Sequence, residues 1–390
     1  MKIWYFTIIT CLFCAGLTAQ TSDSPSTGVQ PEFGFVLDGI ISSNPDMGLD
    51  AAVKMAELSV SSRIDPYSKG YAIIEFPNLE APEIAEAAVI FDGFGDGLEI
   101  RVGRMLMDFG KWNTLHEHDL AMPFGDPVRA GLFGGALKGT GIELHNWFAV
   151  GDAPIRFSLG AWSSVGSHAH GGDEHADQGE EEHGGHVGIN SGVDGRKGIQ
   201  DWSFSGRLSS QRDIGNNGWW QWGLSYFGSA GGLEEDWENE LGDAEGEAFG
   251  LGARTLGFDL SIYDSSFDSD TWNKATLEYW LHEQDHAHAE GAAETFDIER
   301  SSPEGLWLLA EHGFNSEWSL AASVGRWEAE NFEALDTSMR YGLAINHHVS
   351  ELDRIRLAVE QIDMPGFEDE MVITLQWSSF MGKHRHGMDW

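Results

Sequence analysis

Five histidines fall between Ser167 and Val187, at His168, His170, His175, His183 and His186. Among them sit Asp173, Glu174, Asp177, Glu180, Glu181 and Glu182, with no lysine or arginine in the same stretch. Imidazole nitrogen and carboxylate oxygen together suit Zn²⁺, Ni²⁺ or Cu²⁺. The tract is also rich in glycine, so ordering it around an ion costs chain entropy, and each site is expected to bind weakly. The composition recurs at His282, Glu283, Asp285, His286, His288 and Glu290. The expected metal ligands are therefore His168, His170, Asp173, Glu174, His175, His183 and His186 in the first tract, with His282, His286 and His288 in the second. The alternative is a pair of solvated acidic loops with incidental histidines. A third run, Glu234 to Glu247, is acidic without histidine and reads as a hydrated, cation-attracting surface.

A different chemistry is written between Met105 and Lys138. That stretch is apolar, aromatic and glycine-rich, unlike an ordinary exposed loop, and it prefers burial. It carries Asp108, Lys111, His116, His118, Asp119 and Arg129, and Arg101 and Arg104 lie just before it. Folded into a pore, these eight residues would line its narrowest part. The alternative is a small subdomain packed on the outer rim.

Other chemistries find no support. The chain has no glycine-rich phosphate loop, no nucleophile elbow and no HExxH pair. Its only cysteines, Cys11 and Cys14, lie in an N-terminal apolar stretch, which leaves no thiol for catalysis, metal or disulfide beyond it. Asp92 to Gly97 has the composition of a calcium loop without its spacing and reads as a hairpin turn. The chain is not expected to be an enzyme, and no cofactor is required; Zn²⁺ or another divalent cation is expected only as a weak guest of the loops.

The elements that must hold these residues are short strands. Lys2 followed by an apolar run to Ala19 reads as a secretory signal peptide, residues 1–19, with a short segment 20–32 after it. A formal net charge of −40 makes nucleic acid a poor partner. No later segment offers 18 consecutive apolar residues for a transmembrane helix. Period-two alternation recurs instead, as in Ile355, Leu357 and Val359 against Arg354, Arg356 and Glu360, and in Met371, Ile373, Leu375 and Trp377 against Thr374, Gln376 and Ser378.

Sixteen such segments centre near residues 37, 59, 74, 88, 100, 143, 158, 204, 223, 258, 277, 308, 321, 342, 357 and 374, each about ten residues long. Trp147, Trp162, Trp202, Trp219, Trp220, Trp222, Trp280 and Trp377 lie near strand ends, the place of an interfacial girdle. Tight turns are expected near Gly215–Gly218, Asn315–Glu317 and Ser350–Asp353, and long connections at 105–137, 164–198, 229–248 and 283–301.

The expected fold is all-β: a transmembrane antiparallel up-and-down β-barrel of about 16 strands (16–18) over residues 33–390, in a bacterial outer membrane. A barrel of that size leaves an aqueous channel. The expected function is a porin-like path for small solutes, preferring cations, with a non-conducting structural or adhesive barrel as the alternative. Expected partners are outer-membrane lipid and lipopolysaccharide, small solutes or cations, and further copies in a homotrimer.

Two stretches carry a family resemblance. GLEIRVGRMLMDFGKWNTLHEHDLAMPFGDP, from Gly97 to Pro127, resembles a segment of phosphate-selective-porin-like outer-membrane proteins. VITLQWSSFMGKHRHGMDW, from Val372 to Trp390, resembles the closing strand of proteins known as zinc-regulated outer-membrane receptors. The resemblance implies a barrel of similar size, a loop entering the lumen and a link to zinc supply. It would have Gly103, Arg104, Phe109, Gly110, Asn113, His116, His118 and Pro123 shape the constriction. Strand-like sequence from Phe33 onward leaves no room for the plug domain of an energised receptor, and the acidic chain lacks the Lys/Arg ladder of an anion-selective pore.

Overall fold

The computed structural model describes residues 30–44, 48–95, 97–168, 198–238, 245–266, 270–289, 295–331, 334–367 and 369–382. The expected signal peptide 1–19 and the histidine-bearing C-terminal tail lie outside these residues, as does most of the 20–32 segment and of the 164–198 loop.

Nearly every described segment is extended. The strands are β1 (Glu32–Asn44), β2 (Gly48–Asp65), β3 (Ser68–Pro77), β4 (Glu83–Phe91), β5 (Glu99–Leu106), β6 (Ala136–Val150), β7 (Ala153–His168) and β8 (Ser203–Ile214). They continue with β9 (Gly218–Glu238), β10 (Glu245–Ser265), β11 (Trp272–His288), β12 (Asp297–Ser301), β13 (Glu304–Gly313), β14 (Trp318–Asn331), β15 (Ala334–His348), β16 (Asp353–Asp363) and β17 (Glu370–Gly382). β12 pairs with Gln284–His288 and β13 with Trp272–Leu281, both on β11, so these two pieces are one barrel strand interrupted at 302–303. Each strand is antiparallel to its sequence neighbour, and β1 pairs with both β2 and β17. The result is a closed barrel of sixteen strands. All sixteen expected strand centres fall inside observed strands.

Closure satisfies the backbone, which is what a bilayer demands. Alternation then sorts the side chains. On β16 Ile355, Leu357 and Val359 are exposed to the outside, whereas Arg356, Ala358 and Glu360 are buried within. A Lys or Arg on the outer face at mid-membrane would cost about 2–4 kcal/mol, so the charges point inward. Among the described residues no helix is long and apolar enough to cross a membrane; the crossing is made by strands. A closed, outward-apolar barrel of this kind is built for the bacterial outer membrane.

Connections divide by side. Tight turns at 66–67, 151–152, 215–217, 314–317 and 349–352 share one end with the start of β1 and the end of β17. Short turns mark the periplasmic end of such barrels. The connection of residues 107–135 belongs to the opposite end.

Four expectations change. Strands run from 8 to 21 residues rather than about ten, the long ones because neighbours keep pairing beyond the apolar band. The acidic 229–248 stretch is largely strand, with β9 reaching Glu238 opposite Glu245 of β10. The 283–301 stretch is likewise strand at both ends, so His282, His286 and His288 sit on β11 and not in a loop. The tryptophans also divide: Trp147, Trp318 and Trp377 stand exposed near the turn end, whereas Trp162 and Trp280 are fully buried inside the barrel.

Candidate functional site

The interior is organised by residues 107–135. The base of this segment is tied at one residue, Asn113, which is fully buried. Its amide nitrogen donates to the carbonyls of Met107 (2.9 Å) and Leu137 (2.8 Å). Its amide oxygen accepts from the backbone N–H of Leu137 (2.8 Å) and from Arg129 Nη1 (3.4 Å). One side chain thus satisfies backbone groups on both limbs, as a buried turn requires.

The returning limb is a short helix, α1 (Pro127–Phe133). Asp126 caps it, accepting from the backbone N–H of Val128 (2.9 Å) and Arg129 (3.2 Å). Proline follows the cap, and Gly134 ends the helix at φ 68°, the left-handed conformation that a C-terminal glycine supplies. Phe133 meets Trp280 edge-on, and Phe109 stacks on Trp280 at 4.6 Å between centroids. Gly110 takes φ +72°, and a side chain there would strike Trp280 and Glu278. The apolar character of the segment is thereby explained: it builds a small core inside the barrel.

Polar contacts fix the segment to the wall on many sides. Gly110 N–H donates to Ser225 Oγ of β9 (2.9 Å), and Lys111 Nζ to Gln221 Oε1 of the same strand (2.7 Å). Glu278 of β11 accepts from the backbone N–H of Lys111 and of Trp112. Arg356 of β16 donates to the Leu120 carbonyl. Lys54 of β2 donates to Glu117 (2.6 Å) and to the Pro123 carbonyl (2.9 Å). Between the segment and β11 and β13, a gap of about 30 Å³ is lined by Trp112, Asp119, Ala121, Lys274, Leu309 and Glu311.

Charge is gathered in two clusters. In the first, His116 faces Glu57, Glu75 and Glu86, from β2, β3 and β4, at 3.0, 3.2 and 3.3 Å. Burial opposes protonation of this imidazole, but the facing carboxylates outweigh it and hold its pKa well above the ordinary histidine value. In the second, Asp108 lies 3.0 Å from Arg156 and 3.7 Å from Arg207, and Arg207 holds Asp259 through two hydrogen bonds (2.5 and 3.0 Å). Arg156 also donates to His145 Nδ1 (2.7 Å), which leaves Nε2–H of that ring to donate to Glu143 (2.6 Å).

Of the residues expected at a constriction, Asp108, Lys111, His116, His118, Asp119 and Arg129 ride on the folded-in segment. Arg101 is buried on β5 beside Glu99 (2.7 Å), and Arg104 is half-buried on the same strand. Of the expected metal ligands, only His282, His286 and His288 have described side chains. His170, Asp173, Glu174, His175, His183 and His186 lie outside the described residues, and only the backbone of His168, the last residue of β7, is described. His282 is buried against Thr255 Oγ1 (2.8 Å) and Gln284 Oε1 (3.1 Å), and His286 pairs with Glu235 (3.1 Å).

Sequence reasoning did not single out Glu57, Glu75, Glu86, Asp259 or Glu278 as polar members of the interior. The available signal was a charged residue on an inward-facing strand position.

No known family profile matches the chain. An uncharacterized protein of Aquifex aeolicus is 32% identical over 108 residues, which cover 27% of this chain and 22% of that protein. Among solved structures, the trimer form of OmpT of Vibrio cholerae is similar with a TM-score of 0.55 at 8% identity, covering 91% of this chain and 100% of that one. DcaP, an outer membrane channel of Acinetobacter baumannii, gives 0.53 at 10% identity, covering 92% and 99%. An anion-selective porin of Comamonas acidovorans gives 0.51 at 12% identity, covering 91% and 100%. These likenesses establish the class by fold: an outer-membrane β-barrel.

Proposed function

We propose that the protein is a narrow, cation-preferring diffusion channel of the outer membrane, constricted by residues 107–135. The observation that carries this reading is the folded-in segment, which brings ionised side chains into the interior of a closed sixteen-strand barrel. A net charge of −40 and the acidic runs near Glu235 and Asp285 favour cations at the mouth. Resemblance of 97–127 to the phosphate-selective-porin-like group supports a lumenal loop, but the acidity of the chain argues against phosphate as its solute. The histidine-rich 164–198 tract would raise the local concentration of Zn²⁺ or similar ions, in keeping with the zinc-linked relatives of the C-terminal strand. Assembly as a homotrimer in lipopolysaccharide belongs to the same proposal.

The test is reversal potential in planar bilayers under a salt gradient. A cation-selective sign is expected; anion preference or absence of conductance defeats the reading.

One observation favours a second reading, a non-conducting barrel that serves a structural or adhesive role. The segment is bonded to the wall on many sides, and the gap beside it, at about 30 Å³, has room for only two or three waters. The same bilayer recording separates the two.

Lys111 supplies a pH signature. Burial, then the neighbouring Arg207 and Lys274, bring its pKa down to about 8; Asp259 opposes them and Arg156 adds to them. Gln221 accepts its hydrogen bond, and the Trp219 ring lies 5.8 Å away. Below about pH 8 the ammonium is charged, and raising the pH through that value removes a positive charge from the lumen. Cation selectivity should therefore increase across about pH 8 in the native protein and stay flat in Lys111→Met. Because the unfolded chain holds this proton to higher pH, the barrel should also gain stability over the same rise.

A further inference from the structure

We propose that Glu57, His116 and His118 form a binding site for one divalent transition-metal ion, Zn²⁺ by donor type, with Glu75 beside them as the fourth donor. The ion would join the middle of the folded-in segment to the β2–β3 wall.

Geometry carries this. One ligand atom from each of Glu57, His116 and His118 lies within 4.8 Å of the others. His116 Nδ1 is 3.0 Å from Glu57 Oε2 and 3.2 Å from Glu75 Oε1. Donors bound to tetrahedral zinc at their usual bond lengths sit about 3.3 Å apart, so the separations of His116 from Glu57 and Glu75 need little adjustment, and His118 closes in from within 4.8 Å. The site is also built. His118 is 1% exposed, Glu57 0% and Glu75 3%, and the two imidazoles lie 5.5 Å apart between centroids. Two imidazole nitrogens select against Ca²⁺ and Mg²⁺, which take oxygen ligands.

Charge gives an independent reason. Glu57 and Glu75 are directly opposed across the β2–β3 pair. Like charges in that position repel. Glu86, from β4, closes on the other side of the same imidazole at 3.3 Å. A single imidazolium carries one positive charge toward these carboxylates, whereas a divalent ion carries two. Glu86 also accepts from Tyr71 (2.9 Å) and from the backbone N–H of Leu106 (3.1 Å), so it is held as a supporting carboxylate rather than a ligand. The local folding explains the placement of the histidines. His116 immediately precedes a single 3-10 turn, Glu117–Asp119, and His118 is its middle residue, while Glu117 is anchored by Lys54. The residues 116 and 118 are thereby pressed toward the wall while 117 is tethered to β2.

This site is separate from the histidine tract at 164–198, and its existence does not depend on whether the barrel conducts. The test uses the folded full-length chain in detergent, loaded with Zn²⁺, dialysed against metal-free buffer and analysed for retained metal. One equivalent should remain in the native chain and in a variant with His168, His170, His175, His183 and His186 all changed to alanine. It should be lost in His118→Ala and in Glu57→Gln, with folding of each checked by its heat-modified gel mobility. Co²⁺ loaded in place of Zn²⁺ should give the visible absorption of a four-coordinate nitrogen and oxygen site, which needs no variant to fold. Retention that follows the 168–186 histidines, retention indifferent to His118 and Glu57, or no retained metal would overturn the proposal.

Discussion

Removing both Glu278 and Arg356, as Glu278→Ala with Arg356→Ala, is expected to raise single-channel conductance severalfold. Glu278 receives the backbone N–H groups of Lys111 and Trp112, and Arg356 reaches the carbonyl of Leu120. These contacts hold the outgoing limb of the segment to two parts of the wall, β11 and β16, that are separated by three barrel strands. The returning limb is held differently, by the buried apolar side chains Val128, Leu132 and Phe133 of α1. Without the two polar tethers, the part from Gly110 to Leu120 keeps its contacts to Ser225, Gln221, Lys54 and the carboxylates around His116 but is loosened against the wall, while α1 stays docked. A sixteen-strand barrel is wide enough for water once its interior is cleared. Planar-bilayer recording of the double variant beside the native protein reads the effect directly. Unchanged conductance in a folded double variant would mean that ions do not pass this segment. The single variants should fall between, because each leaves one of the two tethers removed in the double variant.

Much of this architecture can be read from the chain, for a physical reason. A strand that meets lipid on one side and polar interior on the other must alternate, and alternation is a local property. The stretch from Arg354 to Glu360 shows its two faces without help from any neighbour. The burial of residues 107–135 was legible as well, since Phe109, Trp112 and Phe133 on an exposed connection would leave a large apolar surface in water. Their destination inside the barrel needed the resemblance or the structure. The carboxylates around His116 were not legible. Glu57, Glu75 and Glu86 are separate charges on three strands, each with the look of an ordinary lumenal residue. Only pairing register sets Glu57 opposite Glu75, and only the folded-in segment brings His116 between them and Glu86. The histidines of β11 read as loop residues in the sequence but stand on a strand. Clustered in sequence, they point inward at alternate positions, and His282 is absorbed by Thr255 and Gln284. Strand length was misread near Glu238 and Glu245 because acidic composition resembles a loop, although antiparallel pairing continues through it.

Arg207→Met should be the most damaging single change to stability, and its size reports how wet the interior is. Arg207 stands between two carboxylates, held twice by Asp259 and flanked by Asp108 at 3.7 Å. All three side chains are at most 2% exposed. In a dry interior, removing the arginine strands the Asp259 charge, and breaking such a pair costs about 3–5 kcal/mol. In a water-filled lumen the same pair is screened, and the loss falls to about 0–1 kcal/mol. Asp108 is cushioned in either case, because Arg156 remains at 3.0 Å. The folded-in segment, which seats Asp108 and Phe109 over this part of the wall, makes the dry limit the expected one. Urea unfolding of the barrel in lipid vesicles measures the loss. The double change Arg207→Met with Asp259→Leu should recover most of it, since the stranded charge is then gone. A loss near the lower limit would place continuous water beside β8 and β10, and would support conduction past the segment without any movement of it. A loss near the upper limit would make displacement of residues 107–135 a condition for permeation.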